Sequence, residues 1–236
     1  MIMNFLKAEW RKLAIINYEI DPEILLPYLP KGTELDFYKG RCYISLVGFM
    51  FLNTKLLGLS VPFHRNFEEV NLRFYVKKKE NGIWKRGVVF IKEIVPKPAL
   101  SFVANTVYKE NYHTMPMRNQ IHEKEGELLI RYSWKDKSWH SIQIMADNTP
   151  KPMEENSEFE FITEHYFGFT KKENTTSEYE VCHPKWDCYT IKDHQLDIDF
   201  QNIYGNGFEG LNHQEPLSVM LAEGSEIQVR TKKYIS

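Results

Sequence analysis

The segment from Phe67 to Val95 constrains the fold most strongly, because it predicts two long strands joined by a tight turn. In Phe67–Lys78, apolar and polar residues alternate with the two-residue period of a β-strand. Asn81-Gly82 is a preferred sequence for a two-residue hairpin turn, so Ile83–Val95 should pair antiparallel with the first strand. One face of the first strand is apolar. The other face carries four side chains that are mostly polar: Glu69, Asn71, Arg73 and Tyr75.

The rest of the chain consists largely of short β-type segments between turns. This pattern favours a mainly β protein, either an antiparallel β-barrel or a sandwich, with two or three short helices. Near the C-terminus, Leu217–Ala222 and Glu226–Lys233 are predicted as two separate strands. No repeat, low-complexity tract or linker interrupts the chain, so we expect residues 1–236 to form a single domain. Helical patterns occur around Phe5–Trp10, after Asp21-Pro22, over Pro98–Lys109, and after Ser157 with its capping partner Glu160.

Composition limits the classes of partner. The chain has 236 residues, of which 42% are hydrophobic, and this is enough for one large core. A net charge of -2 gives no indication of nucleic acid or anionic lipid as a partner. The most apolar stretch, Cys42–Phe63, contains Asn53, Lys55 and glycines, so we interpret it as strands and a loop, with no membrane span. The absence of a signal-peptide pattern and the presence of three cysteines predict a cytoplasmic protein, either a monomer or a homo-oligomer.

Lys97 stands between two prolines at the point where a buried strand should give way to a helix. Pro98 suits the first position of that helix, and a residue that precedes proline is extended. The positive end of the helix dipole would disfavour an ammonium group at this position. Two interpretations remain open: an amine nucleophile inside the protein, or a solvated lysine in a turn.

The polar face of the Phe67–Lys78 strand also has two interpretations. If it points into a cavity, Arg73 can hold a carboxylate, Glu69 can transfer protons, and Asn71 adds an amide to a lining suited to a carboxylate or hydroxylated ligand. If it points outward, it is a solvated stripe, as is usual for antiparallel sheets.

Two further segments contain candidate ligand-binding residues. Glu164-His165-Tyr166 follows a predicted helix and could serve as helix cap or as part of a cavity mouth. His183 is a candidate ligand or proton-transfer group near the aromatic Trp186, or else a structural histidine packed on it. The spacing of Cys182, His183 and Cys188 fits no zinc pattern, so we expect no metal. No phosphate loop, dinucleotide fingerprint or GxSxG elbow is present, so we expect no cofactor.

Several patterns together resemble a known family. They are NYEIDPEILLPYLPKGTELD from Asn17 with a preceding Trp10, FEEVNLRFYV from Phe67, RGVVFIKEIVPK from Arg86, TEHYFGF from Thr163 and HPKW from His183. They resemble the YqjF-like family of uncharacterised bacterial proteins, within the acetoacetate decarboxylase-like superfamily. The resemblance covers nearly the whole chain. It implies a closed, cone-shaped antiparallel β-barrel with a helix beside its mouth.

The resemblance also implies roles for individual residues. Glu69, two residues after an aromatic residue, looks like a glutamate of the decarboxylase, and Glu93, Pro96 and Lys97 look like its Glu…Pro-Lys-Lys pattern, in which the first lysine forms a Schiff base. The chain has Pro98 where that pattern has its second lysine, whose charge activates the first. Helix dipole, burial or Arg73 would have to replace that charge.

Two functional hypotheses follow from these observations. In the first, the protein is a lyase-type enzyme in which Lys97 attacks a small keto acid, Glu69 transfers protons and Arg73 holds the carboxylate. In the second, the cavity is a non-catalytic binding site for a small apolar or amphipathic ligand, lined by aromatic side chains such as Trp186.

Overall fold

The computed structural model describes residues 4–60, 62–108, 110–172 and 175–235. The α-helices are α1 (Pro22–Leu25), α2 (Pro98–Val103), α3 (Glu158–Thr163) and α4 (Phe200–Tyr204); 3-10 turns cover Leu26–Tyr28 and Asn206–His213, and a π-helical turn covers Ala104–Tyr108. The strands are β1 (Asn4–Glu19), β2 (Glu34–Leu35), β3 (Phe37–Tyr38), β4 (Arg41–Leu56), β5 (Phe67–Glu80), β6 (Ile83–Val95), β7 (Tyr112–Thr114), β8 (Met117–Lys124), β9 (Glu127–Lys135), β10 (Trp139–Asp147), β11 (Phe167–Lys171), β12 (Thr176–Cys182), β13 (Ile191–Asp197), β14 (Ser218–Arg230) and β15 (Lys233–Ile235).

The strands of the larger sheet pair in a sequence that returns to its starting point. The order runs β5, β4, β1, β14, β12, β11 and β6, and β6 pairs again with β5. Most of these pairs are antiparallel, whereas β6 pairs in parallel with β11 and with the short β7. The hairpin predicted at Asn81-Gly82 is confirmed, since β5 and β6 pair from Val70 and Ile94 to Glu80 and Ile83. The chain is mainly β, as the sequence predicts.

The smaller sheet, in the order β13, β10, β9 and β8, packs on one face of the larger sheet. Its residues Ile130 and Tyr132 share one apolar cluster with Val70, Leu72 and Phe74 of β5. The close approach has a local cause at Gly48 of β4. A Cβ at that position would lie 2.8 Å from Cδ2 of the fully buried Tyr132.

Two predictions about the larger sheet are wrong, and both failures trace to local irregularities in a strand. Phe5–Trp10 is part of β1 and not helical. The register with β4 shifts between Lys7 and Glu9 and again between Arg11 and Ala14, where Lys12 has a φ of 55°, and these shifts break the two-residue alternation by which a strand is recognised. The two strands predicted near the C-terminus form one strand, β14.

A bend at Gly224 explains the second error. Its φ is 80°, and a Cβ there would lie 2.0 Å from the Trp10 carbonyl oxygen, so only glycine fits. The other predicted helices are observed: Asp21 and Ser157 cap α1 and α3 through their side chains, and α2 begins at Pro98. Lys109, the last residue predicted for that helix, lies outside the described residues. In the described part of the chain, no helix is long and apolar enough to cross a membrane.

Candidate functional site

A cavity of about 220 Å³ lies on the face of the larger sheet opposite the smaller sheet. Strands β1, β4, β5, β6, β11, β12 and β14 all contribute side chains to its wall, and α2 and α3 contribute further ones. Most of the wall is apolar, and much of it is aromatic: Trp10, Phe49, Phe51, Phe67, Phe90 and Trp186. Such a wall suits the apolar body of a small organic molecule.

The polar face of β5 lies inside this cavity. Phe67, Glu69, Asn71 and Arg73 all line it, because successive odd-numbered residues of a strand point to the same side. None of the three polar side chains is more than 8% exposed. The even-numbered residues pack against the smaller sheet, so both faces of the strand are covered. The interpretation as a solvated stripe is therefore excluded.

Glu69 belongs to a buried cluster of carboxyl groups at one part of the cavity. Its Oε1 accepts a hydrogen bond from Asn71 Nδ2 at 2.9 Å, and its Oε2 accepts one from Tyr112 Oη at 3.0 Å. Glu93 of β6 lies opposite Asn71 on one side and Tyr112 on the other, which brings a second carboxyl group to the same place. Glu110 lines the cavity as well, and its Oε1 accepts a hydrogen bond from Thr170 at 2.6 Å.

Burial keeps these carboxyl groups protonated to an unusually high pH. It raises the pKa of Glu69 to about 7, against the hydrogen bonds from Asn71 and Tyr112 and the charge of Arg73, which lower it. Burial likewise raises the pKa of Glu110 to about 7. The pKa of Glu93 is raised well above its usual value by burial and by the neighbouring Glu110 and Glu69. The cluster can therefore donate or accept protons near neutral pH.

Arg73 supplies positive charge beside this cluster. Its Nε has no hydrogen-bond partner, and its guanidinium forms no salt bridge, among the residues that the structure describes. The guanidinium carbon lies 5.8 Å from the centroid of the Tyr75 ring. A buried cation without an anionic partner is costly, and a bound anion would offset that cost.

Two of the histidines that line the cavity, His165 and His183, are neutral at physiological pH. The pKa of His165 is lowered to about 4 by burial, although its contact with Asp36 opposes that effect. The pKa of His183 is lowered to about 4, again mainly by burial, with a smaller effect from the charge of Arg73. The His183 ring stacks on Trp186 at 4.1 Å and 19°, so both residues of that motif belong to the wall.

The remaining candidates, Lys97 and Glu164, do not line the cavity. Lys97 is the N-cap of α2, and its Nζ donates to the backbone carbonyl of Phe63 in the preceding loop. The next residues along the chain, Ala99 and Leu100, do line the cavity, so Lys97 stands beside its wall. Glu164 ends α3 and accepts a hydrogen bond from the Tyr166 hydroxyl group.

The sequence did not identify Glu110 or Tyr112, and it indicated His165 only as one of three neighbouring residues that could form a helix cap or part of a cavity mouth. Tyr112 reaches the cavity because β7 pairs in parallel with β6, and such a long-range pairing has no local signal. For Glu110, the sequence shows only an acidic residue close to the aromatic Tyr112, and this does not indicate a position in a cavity wall. Among the described residues, no group of three or more histidine, cysteine, aspartate and glutamate side chains could hold a metal ion.

The chain is similar in sequence to a known protein family and to a bacterial protein. The sequence profile of the DUF2071 family, described as an uncharacterized conserved protein, matches residues 7–226. The uncharacterized protein YqjF of Bacillus subtilis (strain 168) is 27% identical over 186 residues, which cover 77% of this chain and 74% of YqjF.

Solved structures show the fold. Acetoacetate decarboxylase from Legionella pneumophila matches with a TM-score of 0.67 at 14% identity, covering 99% of this chain and 88% of that protein. The enduracididine biosynthesis enzyme MppR, complexed with pyruvate, matches with a TM-score of 0.66 at 11% identity, covering 100% and 92%. The TM-scores show that the chain shares the fold of these acetoacetate decarboxylase-like proteins.

Proposed function

Because this chain belongs to the DUF2071 family of uncharacterized conserved proteins and has an acetoacetate decarboxylase-like fold, we propose that its cavity binds a small carboxylate with an apolar body and that Glu69 exchanges protons with that ligand. The closed circuit of strand pairings supports a β-barrel whose interior is this cavity. The protein would then be an enzyme that performs acid–base chemistry on the ligand bound in its cavity.

One observation carries the proposal: Arg73 is a buried cation for which the described residues supply no salt bridge. A carboxylate is the anion whose geometry matches the guanidinium fork. The apolar wall then takes the rest of the molecule. The pyruvate in MppR supports the same class of ligand, since pyruvate is a small carboxylate.

Glu69 supports the catalytic part of the proposal. A group that transfers protons works best when its pKa is close to the working pH, and the pKa of Glu69 is about 7. On the strand, Glu69 and Arg73 are four residues apart and face the same cavity. A 2-oxo acid held by Arg73 would give up a proton from the carbon next to its carbonyl group to the Glu69 carboxylate. The resulting enolate would later regain a proton at the same carbon from the Glu69 carboxyl group.

Binding is tested by comparing carboxylates with their amides. We expect wild-type protein to bind butanoate, hexanoate or 3-phenylpropanoate at least about tenfold more tightly than the matching primary amide, measured by calorimetry. The amide keeps the shape of the ligand and removes its charge. If every acid and its amide bind equally, or neither binds, the carboxylate proposal is wrong.

Proton transfer is tested on phenylpyruvate in D₂O. Catalysed exchange of its methylene hydrogens, followed by NMR and lost in a Glu69→Gln variant, would support the enzyme. Carboxylate binding without such exchange would leave a non-catalytic binding protein, which is the second hypothesis drawn from the sequence.

A Schiff base at Lys97 is the competing mechanism, and the position of Lys97 beside the wall is the observation that favours it. Its Nζ is bound to the Phe63 carbonyl, so the side chain would have to rotate before it could attack a carbonyl carbon. We expect borohydride in the presence of pyruvate or phenylpyruvate to leave Lys97 unlabelled in peptide mass mapping. A mass label on Lys97 that is absent from the Lys97→Arg variant would show that the reacting group is the lysine and not Glu69.

A further inference from the structure

Asp36 and His165 form a hydrogen-bonded pair at the edge of the cavity. His165 Nε2 lies 3.3 Å from Asp36 Oδ2, and the His165 side chain is 1% exposed. His165 itself lines the cavity. Its second ring nitrogen, Nδ1, is buried and has no hydrogen-bond partner among the described residues. The contact with Asp36 thus fixes Nε2, and Nδ1 remains available to a molecule bound in the cavity.

The surroundings of Asp36 determine which nitrogen carries the proton. Arg86 Nε donates to the same Oδ2 at 2.7 Å, and Lys77 Nζ lies 3.7 Å from Oδ1. Although burial opposes it, the hydrogen bonds from His165 and Arg86 lower the pKa of Asp36 to about 2, so Asp36 is a carboxylate and only accepts hydrogen bonds. Nε2 must therefore donate, and in the neutral ring Nδ1 is then an acceptor.

Burial, together with nearby positive charges, keeps the His165 ring neutral. Burial is the main cause of the lowered pKa of His165, and the positive charges of Arg86 and Arg73 add to it, while Asp36 acts in the opposite direction. Tyr75 and Phe161 pack against the ring at centroid distances of 4.8 Å and 5.0 Å. A neutral ring held in this way offers an acceptor nitrogen over the physiological pH range.

The free nitrogen belongs to the same part of the cavity as the proposed carboxylate anchor. Arg73 and His165 both pack against the ring of Tyr75, at 5.8 Å and 4.8 Å from its centroid. The charge of Arg73 also acts on His165, so a ligand whose carboxylate contacts Arg73 would extend its neighbouring carbon atoms towards His165. A hydrogen-bond donor on one of those carbons would fit the acceptor.

We propose that His165 Nδ1 accepts a hydrogen bond from a hydroxyl group beside the ligand's carboxylate, so that the cavity selects hydroxylated carboxylates, namely 2- or 3-hydroxy acids and the enol forms of 2-oxo acids. This inference rests on the proposed function for the carboxylate anchor and adds the specificity. Asp36 is a positioning residue, because it fixes the tautomer of His165 without touching the ligand.

The test compares two ligands that differ by one hydroxyl group: 3-phenylpropanoate and each enantiomer of 2-hydroxy-3-phenylpropanoate. We expect one enantiomer to bind wild-type protein roughly fivefold to tenfold more tightly than the acid without the hydroxyl group. In His165→Gln, the amide nitrogen can still donate to Asp36, but the acceptor at Nδ1 is gone, so this preference should disappear. The matched control His213→Gln, at an exposed site, should retain it.

The outcomes separate this inference from the proposed function. If both acids bind and the hydroxyl group gives no advantage, the inference is wrong and the carboxylate anchor stands. If neither acid binds, the proposed function fails first.

A second measurement uses wild-type protein and does not depend on the variant folding. In ¹⁵N NMR, His165 should carry its proton on Nε2, and its Nδ1 resonance should move on addition of the hydroxy acid but not of the acid without the hydroxyl group. A proton on Nδ1, or equal shifts with both acids, would overturn the proposal.

Discussion

An Arg73→Met variant will bind carboxylates at least about 30-fold more weakly than the wild type, while its folded state becomes no less stable. Loss of one partner from a buried, hydrogen-bonded charge pair costs about 2–5 kcal/mol of binding free energy. In the protein without ligand, Arg73 is 8% exposed and its guanidinium forms no salt bridge among the described residues, so its burial costs stability. Methionine has a similar length and carries no charge.

The combination of lost binding and retained stability distinguishes an anion anchor from a structural arginine. Arg73→Lys, which keeps the charge but loses the planar fork, should fall between the wild type and Arg73→Met. Arg131→Met, at an exposed position on β9, serves as the control and should bind normally. Calorimetry gives the affinities, and urea unfolding gives the stabilities. Unchanged affinity in Arg73→Met would move the anchor elsewhere.

The buried carboxyl groups predict that the protein loses stability as pH rises from about 4.5 to about 7. The pKa of Glu69 is about 7 in the folded protein and 4.5 without burial, so across this interval the unfolded chain releases a proton that the folded chain retains. At 1.36 kcal/mol per pKa unit, Glu69 accounts for about 3 kcal/mol of that loss. Glu93, whose pKa is also raised, adds to it.

A Glu69→Gln variant should therefore have a flatter dependence of unfolding free energy on pH. Glutamine keeps the size of the side chain and one oxygen that can accept the hydrogen bond from either Asn71 or Tyr112, but it does not ionise. Near pH 4, below the pKa of Glu69 in both the folded and the unfolded wild type, the two proteins should differ little. Urea unfolding at several pH values measures the effect, and Glu155→Gln, at an exposed site, is the matched control. An identical slope in Glu69→Gln would mean that Glu69 ionises normally, which would also remove the basis for proton transfer.

These two effects are coupled through the field of Arg73, which lowers the pKa of Glu69. A carboxylate bound to Arg73 would cancel part of that field, so the pKa of Glu69 should rise when the ligand binds. Ligand and proton would then enter the cavity together.

The sequence was informative where structure is local and periodic. Strand β5 has a strict two-residue alternation, and both of its faces were predicted with the correct residues. The hairpin after it follows from Asn81-Gly82, and the caps of α1 and α3 follow from Asp21 and Ser157. These features depend on a few neighbouring residues, whose conformational preferences survive in the folded chain.

Features that depend on distant parts of the chain were not predictable. The register of β1 with β4 shifts between Lys7 and Glu9 and again around Lys12, so the pattern of this strand resembled that of a helix. Gly224 was interpreted as the end of one strand and the start of another, because the sequence does not show that the Trp10 carbonyl occupies the space where a side chain would lie. Whether the polar face of β5 pointed inward depended on the smaller sheet, which covers the other face. His165 acquires its orientation from Asp36, 129 residues away.

The double coverage of β5 also bears on how this protein could be redesigned. Positions 67, 69, 71 and 73 meet the cavity, whereas 70, 72 and 74 meet the core beneath the smaller sheet. Alternate residues of this single strand therefore determine ligand preference and folding. A mutagenesis library confined to the odd positions would explore new ligands on an unchanged scaffold. A library at the even positions would mainly sample loss of the scaffold itself.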